Sequence, residues 1–139
     1  MKRTITKIII HCSATPEGAD VKARTIEQWH RKRGFRAIGY HYVIDLDGTI
    51  EQGRPLEKAG AHCEGVNDCS IGICYIGGTD DEGKPKNTMT PEQSDALAML
   101  LIALREQFPE VKIYGHNELN VKKACPCFDV QEWLKGYGL

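Results

Sequence analysis

Two histidines and a cysteine stand where this chain can do chemistry. His11 closes the apolar run TKIII (6–10), His116 closes VKIYG (111–115), and Cys125 follows His116 by nine residues. Neutral imidazoles and a thiolate are zinc ligands, and three of them leave the fourth tetrahedral position for water, as in catalytic rather than structural sites. The stretch VKKACPCF (121–128) also admits a disulfide, a Cys125 nucleophile with His116 as base, or buried thiols that only pack. Its spacing is neither HExxH nor a paired CxxC, so spacing alone does not choose among them. Cys127 adds a further alternative, because Pro126 restricts Cys125 towards extended backbone and extended neighbours two apart share a side. On that reading Cys127 completes a closed four-ligand site; on the plain one it packs.

Tyr40 and Lys123 can reach the same place. Beside a zinc-bound water, a phenol orients it and an ammonium stabilises an oxyanion. A core aromatic and a solvated loop charge are the corresponding bland readings.

The elements that must position these groups follow from pattern. TKIIIHC (6–12) and SIGICYI (70–76) are β-rich runs without polar alternation, the pattern of strands covered on both faces. TIEQWHRKRGF (25–35) predicts a helix capped by Thr25 with Gln28 three residues on, and stopped at Gly34. YHYVIDLDGTIEQG (40–53) predicts a hairpin turning at Asp47-Gly48. Its first strand, starting near Tyr40, is expected to run antiparallel to the histidine-bearing strands and so to bring Tyr40 beside their carboxyl ends. Residues 77–89 read as a long polar loop. Thr90, Pro91 and Gln93 open a second helix with a capping box, and Leu97, Leu100, Leu101, Leu104 and Phe108 form its buried stripe up to Pro109. VKIYGH (111–116) is a strand, and Asp129 caps a last short helix carrying Val130, Trp133 and Leu134. The order β, α, hairpin, β, α, β, α predicts an α/β fold: one domain over 1–139, a central mixed sheet flanked by helices. Ligands of such sheets gather beyond the carboxyl ends of the parallel strands, where His11 and His116 lie.

Composition bounds the function classes. With 139 residues, 41% hydrophobic, 27% charged and a net charge of −1, the chain can bury one core and carries no marked basic bias toward nucleic acid. The run Arg31-Lys32-Arg33 is read as a solvated helix face. The apolar run behind Met1-Lys2-Arg3 is too short for a secretory signal, and no stretch reaches the roughly 18 apolar residues of a membrane span. The expectation is cytoplasmic synthesis without a signal peptide, with reduced cysteines, so that a Cys63–Cys69 bridge is disfavoured.

Seven ordered motifs carry a resemblance. HCSAT (11–15), QWHRKRGF (28–35), GYHYVIDLDGTIEQGR (39–54), GAHCEGVNDCSIGICYIGG (60–78), TPEQ (90–93), GHNE (115–118) and KACPCFD (123–129) resemble the zinc-dependent N-acetylmuramoyl-L-alanine amidases of the phage lysozyme type, relatives in fold of the peptidoglycan recognition proteins. The resemblance implies a peptidoglycan recognition protein-like fold, Zn2+ held by His11, His116 and Cys125, and catalytic roles for Tyr40 and Lys123. It places His62 near the substrate groove. It implies hydrolysis, by zinc-activated water, of the amide between N-acetylmuramic acid and L-alanine of the stem peptide. The expected partner is bacterial peptidoglycan, for a monomer that inserts in no membrane, and a phage or prophage origin would have the enzyme act on the wall after release. The alternative is a module that binds muropeptides without cutting them. Cys127 departs from the family, whose members often carry serine or glycine there.

Overall fold

The structure is a computed structural model that describes residues 3–139. In chain order its elements are β1 Lys7–Cys12, the short β2 Thr15–Pro16, α1 Ala23–Lys32, β3 Tyr42–Ile44, β4 Ile50–Gln52, β5 Ser70–Tyr75, the short β6 Gly78–Thr79, α2 Pro91–Gln107, β7 Lys112–Gly115, α3 His116–Leu119 and α4 Val130–Gly136. Five strands form a mixed sheet in the order β4-β3-β5-β1-β7. The β-branched run of β1 lies between β5 and β7, parallel to both, and Ile8, Ile9 and Ile10 are fully buried. Alternation along the strands divides their side chains between two layers. Ile8, Ile10, Ile71, Ile73 and Tyr75 pack with Leu97, Leu101 and Leu104 of α2 and with Val130 and Leu134 of α4. Val43, Cys74 and Ile76, on the other face, pack with Ile26 of α1. Each large aliphatic side chain so buried stabilises the fold by about 1.5–3 kcal/mol.

Local signals hold where a cap or turn decides them. Thr90 accepts from the Gln93 N–H and the Gln93 side chain accepts from the Thr90 N–H, closing the capping box of α2, while Asp129 accepts from the Glu132 N–H at the start of α4. At the end of α1, the Phe35 N–H reaches the His30 carbonyl and the Gly34 N–H the Arg31 carbonyl. This is a Schellman closure, with Gly34 at φ +96°. Within the hairpin Gly48 takes φ +89° and approaches the backbone of Glu92 closely.

Three expectations are corrected. Helix α1 begins at Ala23 after Lys22, not at a Thr25 cap, because Glu51 of β4 accepts the Ala23 N–H at 2.9 Å. A carboxylate from a distant strand thus takes the place of a local cap. Strand β3 runs parallel to β5, and hence to β1 and β7, rather than antiparallel. The connection that carries α1 crosses the sheet face between β1 and β3 and brings the chain from the carboxyl-end edge back to the amino-end edge, so both strands run the same way. Only β4 is antiparallel. Residues 77–89 are not wholly loop either, since Gly78 and Thr79 pair with Thr15 and Pro16.

His41, just before β3, is fully buried. Its Nδ1 accepts the Gly72 N–H at 3.0 Å, so the single ring proton sits on Nε2 and is donated to the Lys58 carbonyl at 2.8 Å. The Arg3 guanidinium lies 3.0 Å from the same Nε2. Burial, and to a lesser degree this cation, lower the His41 pKa from 6.5 to about 4. The neutral form is the folded form, so His41 stabilises the fold fully above pH 6.5, and this contribution disappears as pH falls towards 4. The shift corresponds to about 3 kcal/mol. Denaturation of wild type and His41→Gln between pH 7 and 4 should give the variant a lower stability at pH 7 and a flatter pH dependence. Equal slopes would show that His41 does not titrate with unfolding.

Candidate metal centre

Because Ile10 and Cys12 of β1 face the α2 and α4 layer, His11 between them faces α1. Strand β7 runs beside β1 with Ile10 opposite Gly115, so His116, the first residue of α3, arrives next to His11. Their ring centroids are 4.6 Å apart. The following loop then folds back. Its carbonyl at Cys125 accepts the Asn117 N–H at 2.8 Å, and the Tyr75 hydroxyl donates to the Pro126 carbonyl at 2.7 Å. One ligand atom from each of His11, His116 and Cys125 lies within 4.8 Å of the others. His11 Nδ1 and Cys125 Sγ are 3.8 Å apart, near the roughly 3.5 Å that a tetrahedral zinc with ordinary Zn–N and Zn–S bonds spans between ligands.

The electrostatics suit a cation. Burial first, then the neighbouring imidazoles of His62 and His116, hold the His11 pKa well below its ordinary value. Burial, followed by the charge of Lys123, lowers that of His116. Both rings are therefore neutral, the form that donates a lone pair to a metal. The Cys12 N–H donates to Cys125 Sγ at 3.2 Å. With three donors and one position left over, the set fits a zinc ion of the catalytic kind.

The centre opens into a cleft of about 830 Å3 lined by Trp29 of α1 and Arg33 just past its end, by Tyr40 and His62, and by Lys123. Tyr40 belongs to the α1–β3 connection, two residues before β3. Its ring lies 5.1 Å from that of His11, so the length of the phenol brings it to the site despite the parallel course of β3. Burial raises its pKa well above 10, which keeps the phenol protonated. His62 lies directly behind His11, with its Nδ1 2.8 Å from His11 Nε2. Lys123 is exposed on the cleft wall, its N–H bonded to the Asn120 carbonyl at 2.9 Å.

Sequence reading missed His30, Trp29 and Arg33. His30 sits in α1 beside the basic run read as a solvated face, yet it is buried and its Nδ1 accepts the Gly39 N–H at 2.8 Å. Its ring packs 5.5 Å from Tyr40, fixing the backbone that carries the phenol. Arg31, Lys32 and Arg33 are exposed as expected, although Arg33 also borders the cleft, 5.2 Å over the Phe35 ring. A helical-wheel signal was available in Ile26 and His30, four residues apart and both buried.

Cys127 stands apart from the three-ligand cluster. At φ +71° it leaves extended backbone, and its Sγ lies 3.9 Å from that of Cys12. Its backbone therefore differs from the extended pair that would point both thiols to one side. Burial and the Cys12 thiol raise its pKa to about 11, so it is a neutral thiol. Cys127→Ser is expected to leave metal content unchanged and turnover within about twofold, the range of a surface-like change of about 0.5 kcal/mol. Metal analysis and a turbidity assay on peptidoglycan check this together, and loss of one metal equivalent would make Cys127 a ligand.

Comparison with known proteins bears on the family and the fold. The family model described as N-acetylmuramoyl-L-alanine amidase matches residues 1–128. The endolysin of Enterobacteria phage K11 is 41% identical over 134 residues, spanning 96% of this chain and 88% of that protein. The endolysin of Escherichia phage T7 is 42% identical over 126 residues, spanning 91% and 83%. Among solved structures, the N-acetylmuramoyl-L-alanine amidase LysC from Clostridium intestinale superposes with a TM-score of 0.84 at 27% identity, over 99% of this chain and 87% of that one. An α/β domain of this topology, matched along nearly its whole length, belongs to the N-acetylmuramoyl-L-alanine amidase family.

Proposed function

We propose that this chain is a zinc-dependent peptidoglycan hydrolase that cuts the amide between N-acetylmuramic acid and L-alanine of the stem peptide. The observation that carries the reading is the convergence of His11, His116 and Cys125 at the floor of an open cleft. When bound there, zinc supplies Lewis-acid polarisation of a carbonyl and lowers the pKa of a water to about 7. The chain supplies the rest. Tyr40, held by the His30–Gly39 hydrogen bond, offers a protonated phenol that orients the attacking water. Lys123, exposed on the cleft lining, offers an ammonium to the negative charge that develops on the scissile carbonyl oxygen. Trp29 and Arg33 give the cleft an apolar wall and a cation for the peptide portion of the substrate. The substrate is bacterial peptidoglycan, and the enzyme acts where the wall is accessible to it.

The test is mass spectrometry of purified peptidoglycan digested with the protein, with and without a zinc chelator. Chelator-sensitive release of stem peptides bearing a free L-alanine amine is the expected result. Intact muropeptides from a folded, zinc-loaded protein would instead identify a binding module.

A further inference from the structure

His11 has two ring nitrogens, and only one of them can serve the metal. Its Nε2 is 2.8 Å from His62 Nδ1, and its Nδ1 is the nitrogen near Cys125. Which of these carries the proton is decided farther back. Ser70 is fully buried, and its hydroxyl donates to the Val66 carbonyl at 2.7 Å. A hydroxyl has one proton. With that proton committed, Ser70 Oγ can only accept from His62 Nε2, 3.2 Å away. A neutral imidazole that is N–H at Nε2 is an acceptor at Nδ1, so His62 Nδ1 accepts from His11 Nε2. His11 Nδ1 is then left with its lone pair in the ring plane, on the side of Cys125.

The ring of His62 is also held in place sterically. A Cβ on Gly72 would lie 2.6 Å from His62 Cγ, and one on Gly60 would lie 2.6 Å from His62 Cδ2. The imidazole therefore occupies the space of two missing side chains, one of them on β5 itself. Moreover, the Asn67 side chain accepts the backbone N–H groups of both His62 and Cys63 at 2.9 Å, tying the loop down on either side of the ring's attachment.

We infer that Ser70, acting through His62, sets the tautomer and orientation of His11, so that Val66 O, Ser70, His62 and His11 form one directed chain of hydrogen bonds ending at the metal position. Ser70 and His62 are positioning residues. The inference rests on the zinc reading for its consequence, but the proton positions exist with or without the ion. Outer partners of metal-bound histidines contribute about 10- to 100-fold in metal affinity.

The experiment is a long-range 1H–15N correlation of the histidine rings of the full chain, first metal-free and then with one equivalent of Zn2+. His11 and His62 should each carry the proton on Nε2 in both states. A proton on Nδ1 of either ring overturns the inference without any substitution. Failure of the chain to take up Zn2+ would overturn the zinc reading and leave the tautomer result standing, so the two failures are distinguishable. Ser70→Ala should then populate both His62 tautomers and weaken Zn2+ binding, measured against a competing chelator, by about 10- to 100-fold. Gly72→Ala keeps the hydroxyl yet displaces the ring, and should weaken binding in the same direction. Unchanged tautomers and affinity in Ser70→Ala would reduce Ser70 to a packing residue.

Discussion

Cys125→Ala is expected to empty the metal centre and abolish turnover while leaving the fold intact. Cys125 is half-buried in a loop anchored independently of its thiol, through the Asn117 N–H to its carbonyl and the Tyr75 hydroxyl to Pro126. Removing Sγ therefore costs the protein little packing but removes the sulfur donor of the set. Loss of an outer partner of a ligand costs about 10- to 100-fold in affinity, so loss of the ligand itself should exceed about 100-fold. Metal analysis after dialysis, alongside circular dichroism, gives the answer. Full zinc occupancy in the variant would sink the assignment. Cys125→Asp sharpens the result, because a carboxylate is a zinc ligand but cannot act as a thiol nucleophile. Zinc retention with measurable turnover in Cys125→Asp would exclude a thiol peptidase, and a zinc-loaded but inert variant would favour one.

Lys123→Ala should keep its zinc and lose about 100- to 1000-fold in kcat, the usual effect of removing one oxyanion-stabilising donor. Its ammonium contributes no metal bond, and it is solvent-exposed, so neither metal content nor thermal stability should change appreciably. Its charge does reach the centre, since it lowers the pKa of His116 in addition to burial. The decisive measurement is the split between kcat and KM on a defined muropeptide. A fall in kcat at constant KM places Lys123 at the transition state. A rise in KM alone would make it a substrate-binding cation, and near wild-type kinetics would remove it from the mechanism. Tyr40→Phe provides a second arm, because it keeps the ring against His11 and His30 while deleting the phenol oxygen.

Much of this molecule is legible along the chain because the deciding interactions are local. The capping box at Thr90 and Gln93, the Asp129 cap, the Asp47-Gly48 turn and the glycine stop at Gly34 each involve residues within five positions of one another. The uninterrupted β-branched run of β1 required burial on both faces, and His11 and His116, each closing a strand, placed both candidate ligands at one end of the sheet. The candidate histidines and the ordered motifs of the family were therefore readable before any tertiary contact, whereas spacing alone left the role of Cys125 open. What the chain could not declare lies in contacts between distant residues. Ala23 is capped by Glu51, 28 residues on; His11 meets His62 across 51 residues; Cys127 meets Cys12 across 115. Pairing direction is of the same kind, because a strand such as β3 has identical side-chain alternation whether it runs with or against its neighbour. Residue types and spacing determined which groups could bind a metal. Only the packed structure decided which nitrogen of His11 faces it, because a proton's position depends on a chain of partners that folding alone brings together.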